Sequence, residues 1–278
     1  MSKHTTFKIG GKADLLLAPS DEGEICKILR ICRSNGIEYI LIGNGSNLLV
    51  SDKGIRGVVI KIGKNFSDIT VDGCRINAKA GALLSSVASQ AAANSLTGLE
   101  FAAGIPGTLG GAVFMNAGAY GGEMRDVVTE TTYIDENCKI KKLTDHGFGY
   151  RKSVFQTNGG IILSVHMQLE KGNKNDITAK MESLGTARRE KQPLNFPSAG
   201  SAFRRPEGFF AAKLIDDAGL RGYTIGGAAV SEKHTGFIVN LGGATAEDVI
   251  SLMEYVKKTV YDKFNVSLES EIRFVGER

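Results

Sequence analysis

Three side chains in this chain of 278 residues occur in settings where they could do chemistry. Arg151 lies in the polar cluster 149–155, from which a loop could direct a guanidinium into a cleft. Ser201 follows Gly200 and precedes two arginines, so its hydroxyl could lie in a tight turn beside an anion. Glu271 lies near the C-terminus. Taken singly, each has a commoner explanation, namely a surface ion pair, a turn hydroxyl and a strand-edge charge.

Two glycine-rich loops could bind the anion. The stretch 104–122, GIPGTLGGAVFMNAGAYGG, has seven glycines in nineteen residues and no charged side chain. Such a backbone can approach a ligand closely and expose its N–H groups, which is one way to hold a diphosphate. Glycine spacing alone favours a run of tight turns in a small-residue core. The second turn, Gly43-Asn44-Gly45-Ser46-Asn47, strengthens the diphosphate interpretation, because two such loops could hold one diphosphate.

Two well-known motifs do not fit these loops. Leu48 stands where a dinucleotide-binding fingerprint needs its third glycine, and more strand is predicted after it, which disfavours a Rossmann site. The anion would then be held by loop amides and by the side chains of Asn44, Ser46 and Asn47. A hydrolase elbow around Ser201 would need glycines at positions 199 and 203, which are alanine and phenylalanine.

The elements that must position these loops indicate an α+β fold with a βαβ-type start. Strands are predicted at residues 13–18, 38–42, 48–50, 57–62, 68–80, 127–134, 139–143, 161–169 and 266–275, with 161–169 half-buried. Five helices are predicted. The first runs from a Ser20 cap to about Gly36 and has the apolar face Ile25, Ile28, Leu29 and Cys32, and the second has the face Leu83, Leu84, Val87, Ala88 and Ala91. Two more are predicted at 176–190 and 210–218, and the last follows a Thr245/Asp248 capping box and has the face Val249, Leu252, Met253, Val256 and Val260. Prolines at 193 and 197 suggest a domain boundary.

Composition limits the class of protein. A 42% hydrophobic chain of this length can bury two or three compact cores. The net charge of +4 gives weak support for anionic small-molecule ligands, and the lack of a basic tract with interleaved aromatics argues against nucleic acid. No signal peptide and no apolar run near the roughly 20 residues of a membrane helix is present, which predicts a cytoplasmic protein without a membrane partner.

The cysteines and histidines show no pattern of ligands. Cys26, Cys32, Cys74 and Cys138 match no zinc or redox spacing, and the four histidines are isolated. We therefore predict idle or buried thiols and no metal.

Several motifs together, in order, resemble one family. They are Thr5-Thr6-Phe7-Lys8-Ile9-Gly10-Gly11, the turn at 43–47, the stretch 104–122, Tyr150-Arg151, Gly200-Ser201 and Glu271-Ile272-Arg273-Phe274. From about Thr5 to the C-terminus the chain resembles the UDP-N-acetylenolpyruvoylglucosamine reductase (MurB) family, in its shorter subtype.

The resemblance implies a fold and a cofactor. It implies a two-part FAD-binding unit of the vanillyl-alcohol-oxidase/PCMH type, residues 1–66 and 67–190, followed by an α+β substrate-binding domain, residues 191–278. The implied FAD-binding residues are Gly43, Asn44, Gly45, Ser46, Asn47, Ile105, Pro106, Gly107, Thr108, Gly110, Gly111 and Asn116.

The resemblance also implies a reaction. NADPH would reduce FAD, and the reduced flavin would then pass a hydride to the vinyl carbon of UDP-N-acetylglucosamine enolpyruvate. Protonation of the neighbouring carbon would give UDP-N-acetylmuramate for peptidoglycan synthesis. The expected partner is therefore a small UDP-sugar, and the chain is expected to be a monomer.

Roles for individual residues follow from the family pattern. The Arg151 fork would grip the substrate carboxylate as negative charge develops on it, and Glu271 would assist in protonated form. Ser201 would be the proton donor. Tyr150, Lys191 and Arg205 would contact the substrate. Many relatives have Lys-Asn where this chain has Arg204-Arg205, which puts an asparagine contact in doubt although arginine suits a diphosphate.

Two alternatives remain open from the sequence. Another FAD oxidase of the same fold would share the loops of the first two domains without the pair Ser201 and Glu271. A non-catalytic nucleotide-binding protein would hold a structural flavin or none.

Overall fold

The computed structural model describes residues 1–277. The strands are β1 (Ala13–Leu17), β2 (Tyr39–Ile42), β3 (Leu48–Val50), β4 (Ile55–Lys61), β5 (Ile69–Asp72), β6 (Arg75–Lys79), β7 (Leu96–Thr97), β8 (Gly118–Ala119), β9 (Gly122–Glu123), β10 (Val128–Ile134), β11 (Ile140–Leu143), β12 (Ile161–Gln168), β13 (Glu170–Lys171), β14 (Ser198–Ser201), β15 (Thr224–Ile225), β16 (Ala228–Val230), β17 (Phe237–Asn240) and β18 (Arg273–Val275). The helices are α1 (Glu22–Ser34), α2 (Leu84–Ala93), α3 (Leu109–Phe114), α4 (Lys174–Lys191), α5 (Ala211–Asp217) and α6 (Ala246–Phe264).

The chain forms two compact units, each built from separated segments. The first, called here the glycine-loop unit, comprises Leu16–Asn44 and Val58–Arg188. The second, called the terminal unit, comprises Met1–Leu15, Gly45–Gly57 and the chain from Arg189 onward. The three-part division inferred from the family resemblance stays a prediction.

The N-cap of helix α1 is Asp21, one residue later than the predicted cap Ser20. The Asp21 carboxylate, not the Ser20 hydroxyl, accepts the Glu24 N–H at 2.8 Å, while Ser20 donates its N–H and hydroxyl to the Glu24 carboxylate at 2.8 and 3.0 Å. Aspartate is as good a cap as serine, and the carboxylate also suits the positive end of the helix. The buried face consists of Ile25, Leu29 and Cys32, with Ile28 half-buried.

A five-stranded antiparallel sheet forms the centre of the glycine-loop unit, in the order β11-β10-β12-β6-β5. Its middle strand, β12, is buried along almost its whole length, so the half-buried pattern predicted for 161–169 is wrong. Because β12 has neighbours on both edges and α3 packs against it, its alternate residues are covered as well. A second, three-stranded sheet has the order β1-β4-β2, and its strands β2 and β4 are parallel.

Helix α2 follows β6 in the chain and precedes the glycine-rich stretch. Leu84, Val87, Ala88 and Ala91 are buried as predicted. Leu83 is exposed, which contradicts its expected place on the apolar face. The reason is that Leu83 is the N-cap, with extended backbone dihedrals, so its side chain does not follow the helical spacing.

The terminal unit has its own core beneath a four-stranded antiparallel sheet, β14-β17-β16-β15. Helix α6 begins with the predicted capping box, in which Thr245 and Asp248 exchange hydrogen bonds at 3.0 and 2.9 Å. Its predicted face is buried throughout. Phe7 and Leu49, which are 0% and 2% exposed, belong to the same core. The N-terminal segment and the segment Gly45–Gly57 are therefore structural parts of this unit.

The final strand is shorter than the predicted 266–275. Ladder pairing in β18 covers Arg273–Val275, parallel to β3. Before it, Glu271 donates its N–H to Ala202 O, and Arg204 donates its N–H to Glu269 O. The backbone thus bonds to residues 202 and 204 up to Glu271 and pairs with β3 from Arg273 onward, so the strand that pairs with β3 is short.

Candidate active site

The two predicted glycine loops meet inside the glycine-loop unit. Strand β2 ends at Ile42 and leads directly into Gly43 and Asn44. Asn44 donates its side-chain amide to Pro106 O at 2.6 Å. A Cβ at Gly43 would lie 2.2 Å from Thr108 Oγ1, so no larger residue fits without displacing that turn. Loops 62 residues apart in the chain therefore form one surface.

This surface carries unpaired backbone donors. Within residues 1–277, the N–H groups of Gly43, Asn44 and Gly107 donate to no protein group. Unpaired backbone N–H groups on neighbouring turns can bind phosphate oxygens. Gly111 is exposed nearby on α3, and a Cβ there would contact only Thr108 Oγ1, at 3.5 Å. The geometry therefore fits a diphosphate-containing cofactor.

Other glycines of the same stretch are required by internal packing. A Cβ at Gly110 would lie 2.9 Å from the Ala80 side chain, and one at Gly122 would lie 2.6 Å from the Phe101 ring. These positions allow α3 and the β8–β9 hairpin to lie close against the rest of the unit. Close packing, the alternative that the glycine spacing favoured, therefore describes part of the stretch.

Asn116, a predicted cofactor residue, is fully buried and uses its side chain within the protein. Its Nδ2 donates to Glu123 Oε2 at 2.8 Å and to Gly149 O at 3.0 Å, and its Oδ1 accepts the Arg125 N–H at 3.0 Å. These three bonds engage both the amide nitrogen and the carbonyl oxygen of the Asn116 side chain. Its side chain therefore ties the glycine stretch to the loop that bears Arg151.

The second half of the first glycine turn belongs to the terminal unit. Gly45 has φ +64°, and a Cβ there would lie 2.3 Å from His4 O. Asn47 donates its side-chain amide to Glu271 O at 3.1 Å. Ser46 is half-buried between them. Asn47 thus positions the backbone of the predicted catalytic glutamate.

The terminal unit also brings Ser201 and Glu271 together. Ser201 ends β14 and pairs with Phe237 on β17. Glu271 donates its N–H to O of Ala202, the residue after Ser201, at 2.9 Å. Both predicted catalytic residues are half-buried. Two residues 70 positions apart thus lie on adjacent backbone segments, as an acid pair would require.

Arg151 lies in the glycine-loop unit, in an unusual backbone conformation. Its φ is +54°, a region that non-glycine residues rarely occupy. Its guanidinium donates to Gly118 O at 3.3 Å, and its Cζ lies 5.3 Å from the centre of the exposed Tyr150 ring. The guanidinium is therefore directed at the β8–β9 hairpin of the glycine stretch.

The other predicted substrate residues lie at the surface of the terminal unit. Lys191 is exposed at the end of α4. Arg205 donates its Nε to Phe209 O at 3.3 Å, and its guanidinium lies 4.0 Å from the centre of the Phe210 ring. Stacking on an aromatic ring leaves the edge of a guanidinium available for an anion.

Sequence reasoning missed Arg188. Its guanidinium is half-buried and, among residues 1–277, makes no hydrogen bond or ion pair. Burial lowers its pKa from the ordinary arginine value, with a smaller opposite effect of Tyr120. A Cβ at Gly104 would lie 2.9 Å from Arg188 Nη1, so the glycine makes room for the guanidinium. The sequence held no signal for this contact, because the two residues are far apart in the chain.

The described residues show no metal centre and no membrane helix. Among residues 1–277 no group of three histidine, cysteine or acidic side chains is arranged to hold a metal ion. No helix in the same part of the chain has the length and apolar character to cross a bilayer.

Family models match both parts of the chain. A model described as an FAD binding domain matches residues 13–144, which include both glycine turns. A model described as the C-terminal domain of UDP-N-acetylenolpyruvoylglucosamine reductase matches residues 192–275, which include Ser201 and Glu271. The predicted α+β fold class, with an FAD-binding part before a C-terminal domain, is thereby confirmed.

Curated proteins resemble the whole chain. UDP-N-acetylenolpyruvoylglucosamine reductase of Caldanaerobacter subterraneus subsp. tengcongensis is 52% identical, covering 100% of this chain and 92% of the relative. The enzyme of the same name from Clostridium perfringens is 50% identical, covering 99% and 91%. The crystal structure of UDP-N-acetylenolpyruvylglucosamine reductase (MurB) from Thermus caldophilus has a TM-score of 0.86 at 35% identity, covering 98% of this chain and 96% of that one.

Proposed function

Because the chain belongs to the UDP-N-acetylenolpyruvoylglucosamine reductase family, we propose that it reduces UDP-N-acetylglucosamine enolpyruvate to UDP-N-acetylmuramate, with FAD as cofactor and NADPH as reductant. The structural observation that carries this proposal is the contact between the two glycine turns, with three unpaired N–H groups between them. It supports the diphosphate cradle that an FAD enzyme needs.

The FAD site would be built mainly from backbone. The N–H groups of Gly43, Asn44 and Gly107 would donate to the diphosphate, while Ile105 and Thr108 would line the same turn. The exposed face of Gly111 would let the cofactor lie against α3. Bound FAD would supply the hydride, which it would receive from NADPH.

Arg151 would stabilise the developing charge. Hydride addition to an enol ether conjugated with a carboxylate moves negative charge onto that carboxylate. A guanidinium fork held in place can accept this charge with two hydrogen bonds, and it needs no reorganisation when the charge develops.

Ser201 and Glu271 would complete the reaction. Ser201 would donate the proton to the carbon beside the carboxylate, since only a strongly basic carbon can take a proton from a serine hydroxyl. Glu271, whose backbone neighbours Ala202, would assist at the substrate carboxylate.

Cationic residues would bind the rest of the substrate. Arg188, Lys191 and Arg205 can each offer charge to the diphosphate, and the half-buried Arg188 would gain most because it has no partner among residues 1–277. The substrate-binding role of residues 191–278, the monomeric state and a cytoplasmic location are further parts of this proposal.

An assay of NADPH oxidation with and without UDP-N-acetylglucosamine enolpyruvate tests the function. We expect rapid NADPH oxidation only when the enolpyruvyl substrate is also present. We also expect the purified protein to be yellow, with a flavin absorbance band. Fast oxygen consumption that does not depend on the enolpyruvyl substrate would indicate an oxidase of similar fold instead. A colourless protein that FAD cannot reconstitute would indicate a non-catalytic nucleotide binder.

A further inference from the structure

The loop that presents Arg151 is held in a strained turn. Gly149 and Lys152 exchange two backbone hydrogen bonds, at 3.0 and 3.1 Å, and Arg151 occupies the turn with its φ of +54°. Left-handed backbone conformations are unfavourable for residues other than glycine, and they persist where the surrounding structure imposes them. Contacts from outside the turn therefore add to the two cross-turn hydrogen bonds that keep Arg151 in this conformation.

Gln156 contacts the strained residue directly. Its Nε2 donates to Arg151 O at 2.9 Å and to Phe114 O at 3.0 Å. Phe114 is the last residue of α3, the short helix inside the glycine-rich stretch. One side-chain amide therefore joins the backbone of Arg151 to the helix beside the proposed cofactor site.

Two further side chains support the same loop at its ends. Ser153 donates its hydroxyl to Phe114 O at 2.8 Å, and Asn116 donates to Gly149 O at 3.0 Å. Ser153 and Asn116 are buried, and Gln156 is half-buried. These two anchors hold residues on either side of Arg151, whereas Gln156 alone of the three bonds to Arg151 itself.

We propose that Gln156 is a positioning residue that aims the Arg151 guanidinium at the substrate carboxylate. This inference rests on the proposed function, because it gives Arg151 its role in charge stabilisation. Loss of the Gln156 amide frees the carbonyl of Arg151, so the residue can relax toward an ordinary φ. Relaxation at Cα swings a long side chain far from its original direction, which weakens a bidentate contact strongly.

The test is a double-mutant cycle on the flavin-loaded full-length protein. The variants are Gln156→Met, Arg151→Met and the double variant. Gln168→Met is the matched control, because Gln168 also donates its Nε2 to carbonyls, those of Leu169 and Cys74, at the exposed end of β12. Stopped-flow absorbance measures flavin reduction by NADPH and, separately, oxidation of the reduced flavin by the enolpyruvyl substrate.

We expect Gln156→Met to retain bound flavin and the rate of reduction by NADPH, while oxidation by the substrate slows about tenfold or more. Arg151→Met should slow oxidation further, and the double variant should be no slower than Arg151→Met, because Gln156 acts through Arg151. Gln168→Met should match the parent protein. If Gln156→Met does not fold, Gln156→Glu, which keeps the size but loses both donors, takes its place in the cycle.

Additive losses in the double variant, or an unchanged oxidation rate in Gln156→Met, would overturn the positioning role. Both results leave the proposed function intact, because that depends on turnover by the parent protein and its loss in Arg151→Met. An unreactive parent protein would overturn both.

Discussion

Two charged side chains in the glycine-loop unit differ in whether the protein supplies them with partners. Burial acts to raise the pKa of Glu100, but hydrogen bonds from Thr97 and from the Gly98 N–H lower it below its ordinary value, and Lys180 lies 3.6 Å away. The Glu100 carboxylate thus has hydrogen-bond donors and a nearby cation within the protein. The Arg188 guanidinium has no such partner among residues 1–277. A partly desolvated cation of this kind is stabilised by an anionic ligand.

Replacement of Arg188 by methionine should therefore separate binding from stability. We expect KM for the enolpyruvyl substrate to rise about tenfold or more. The free energy of unfolding should not fall, since no protein partner is lost when the charge is removed. Steady-state kinetics and urea unfolding measure the two effects. Arg30→Met, at an exposed position on α1, serves as the control. A loss of stability with unchanged KM would make Arg188 a structural residue.

Ser201 gives the sharpest residue-level test of the proposed chemistry. Ser201→Ala should leave flavin reduction by NADPH intact and slow oxidation of the reduced flavin by the substrate about a hundredfold or more, because only the second step needs a proton donor. Rapid-mixing absorbance follows each step. Ser198→Ala, three residues earlier on β14, is the control. Equal losses in both steps would argue against a proton-donor role.

At the scale of single elements, helix α3 combines two kinds of glycine on adjacent positions. Gly110 faces inward, where a Cβ would lie 2.9 Å from Ala80 Cβ and 3.2 Å from Ala80 O. Gly111 faces outward and has only Thr108 Oγ1 within contact distance of a Cβ, at 3.5 Å. The same motif thus serves packing on one side and leaves an open surface on the other.

The pair Gly110→Ala and Gly111→Ala should behave oppositely. Gly110→Ala should lower the free energy of unfolding by about 1–3 kcal/mol, because the methyl group overpacks α3 against Ala80, the residue that follows β6. Gly111→Ala should keep or slightly raise stability, by up to about 1 kcal/mol from helix propensity, but weaken FAD binding. Urea unfolding of the flavin-free protein and titration with FAD measure the two quantities. If both substitutions weakened FAD binding equally and neither changed stability, the assignment of Gly110 to packing and Gly111 to the open surface would be wrong.

At the scale of the whole molecule, the terminal unit is assembled from three distant segments. Its core contains Phe7 and Leu49 beside the residues of α5 and α6, and β18 pairs with β3. Asn240 donates to Phe7 O at 3.2 Å, and Asp52 accepts the Ala246 N–H at 2.9 Å at the start of α6. The match to the C-terminal family model at 192–275 therefore covers only part of a folding unit.

A fragment limited to residues 189–278 should not fold by itself. Without Phe7 and Leu49 its core has large unfilled volume, each buried aromatic or leucine being worth about 2–5 kcal/mol. We expect a broad, non-cooperative thermal transition by circular dichroism, while the full chain unfolds cooperatively. The single substitution Phe7→Ala in the full chain should already destabilise this unit. A cooperatively folded fragment would show that the N-terminal segments are dispensable.

Local patterns in the sequence were sufficient for the regular elements. The 3.6-residue spacing of apolar residues placed α1 and α6, and the Thr245/Asp248 pair placed the start of α6, because these interactions span only a few residues. The half-burial expected for β12 and the long final strand were wrong, since a strand's neighbours are set by distant segments. The resemblance to a reductase family, read from six motifs in order, is confirmed by relatives that match the full chain.

The sequence by itself determined which residue types were present for the proposed binding and proton transfer, namely glycine turns, Arg151, Ser201 and Glu271. Only the tertiary structure decided which glycines face open space, that Asn116 and Gln156 bond to the loop around Arg151, and that Arg188 is left without a protein partner among residues 1–277. The physical reason is range: turn and helix preferences act over a few residues, whereas burial and hydrogen bonding depend on segments that only folding brings together.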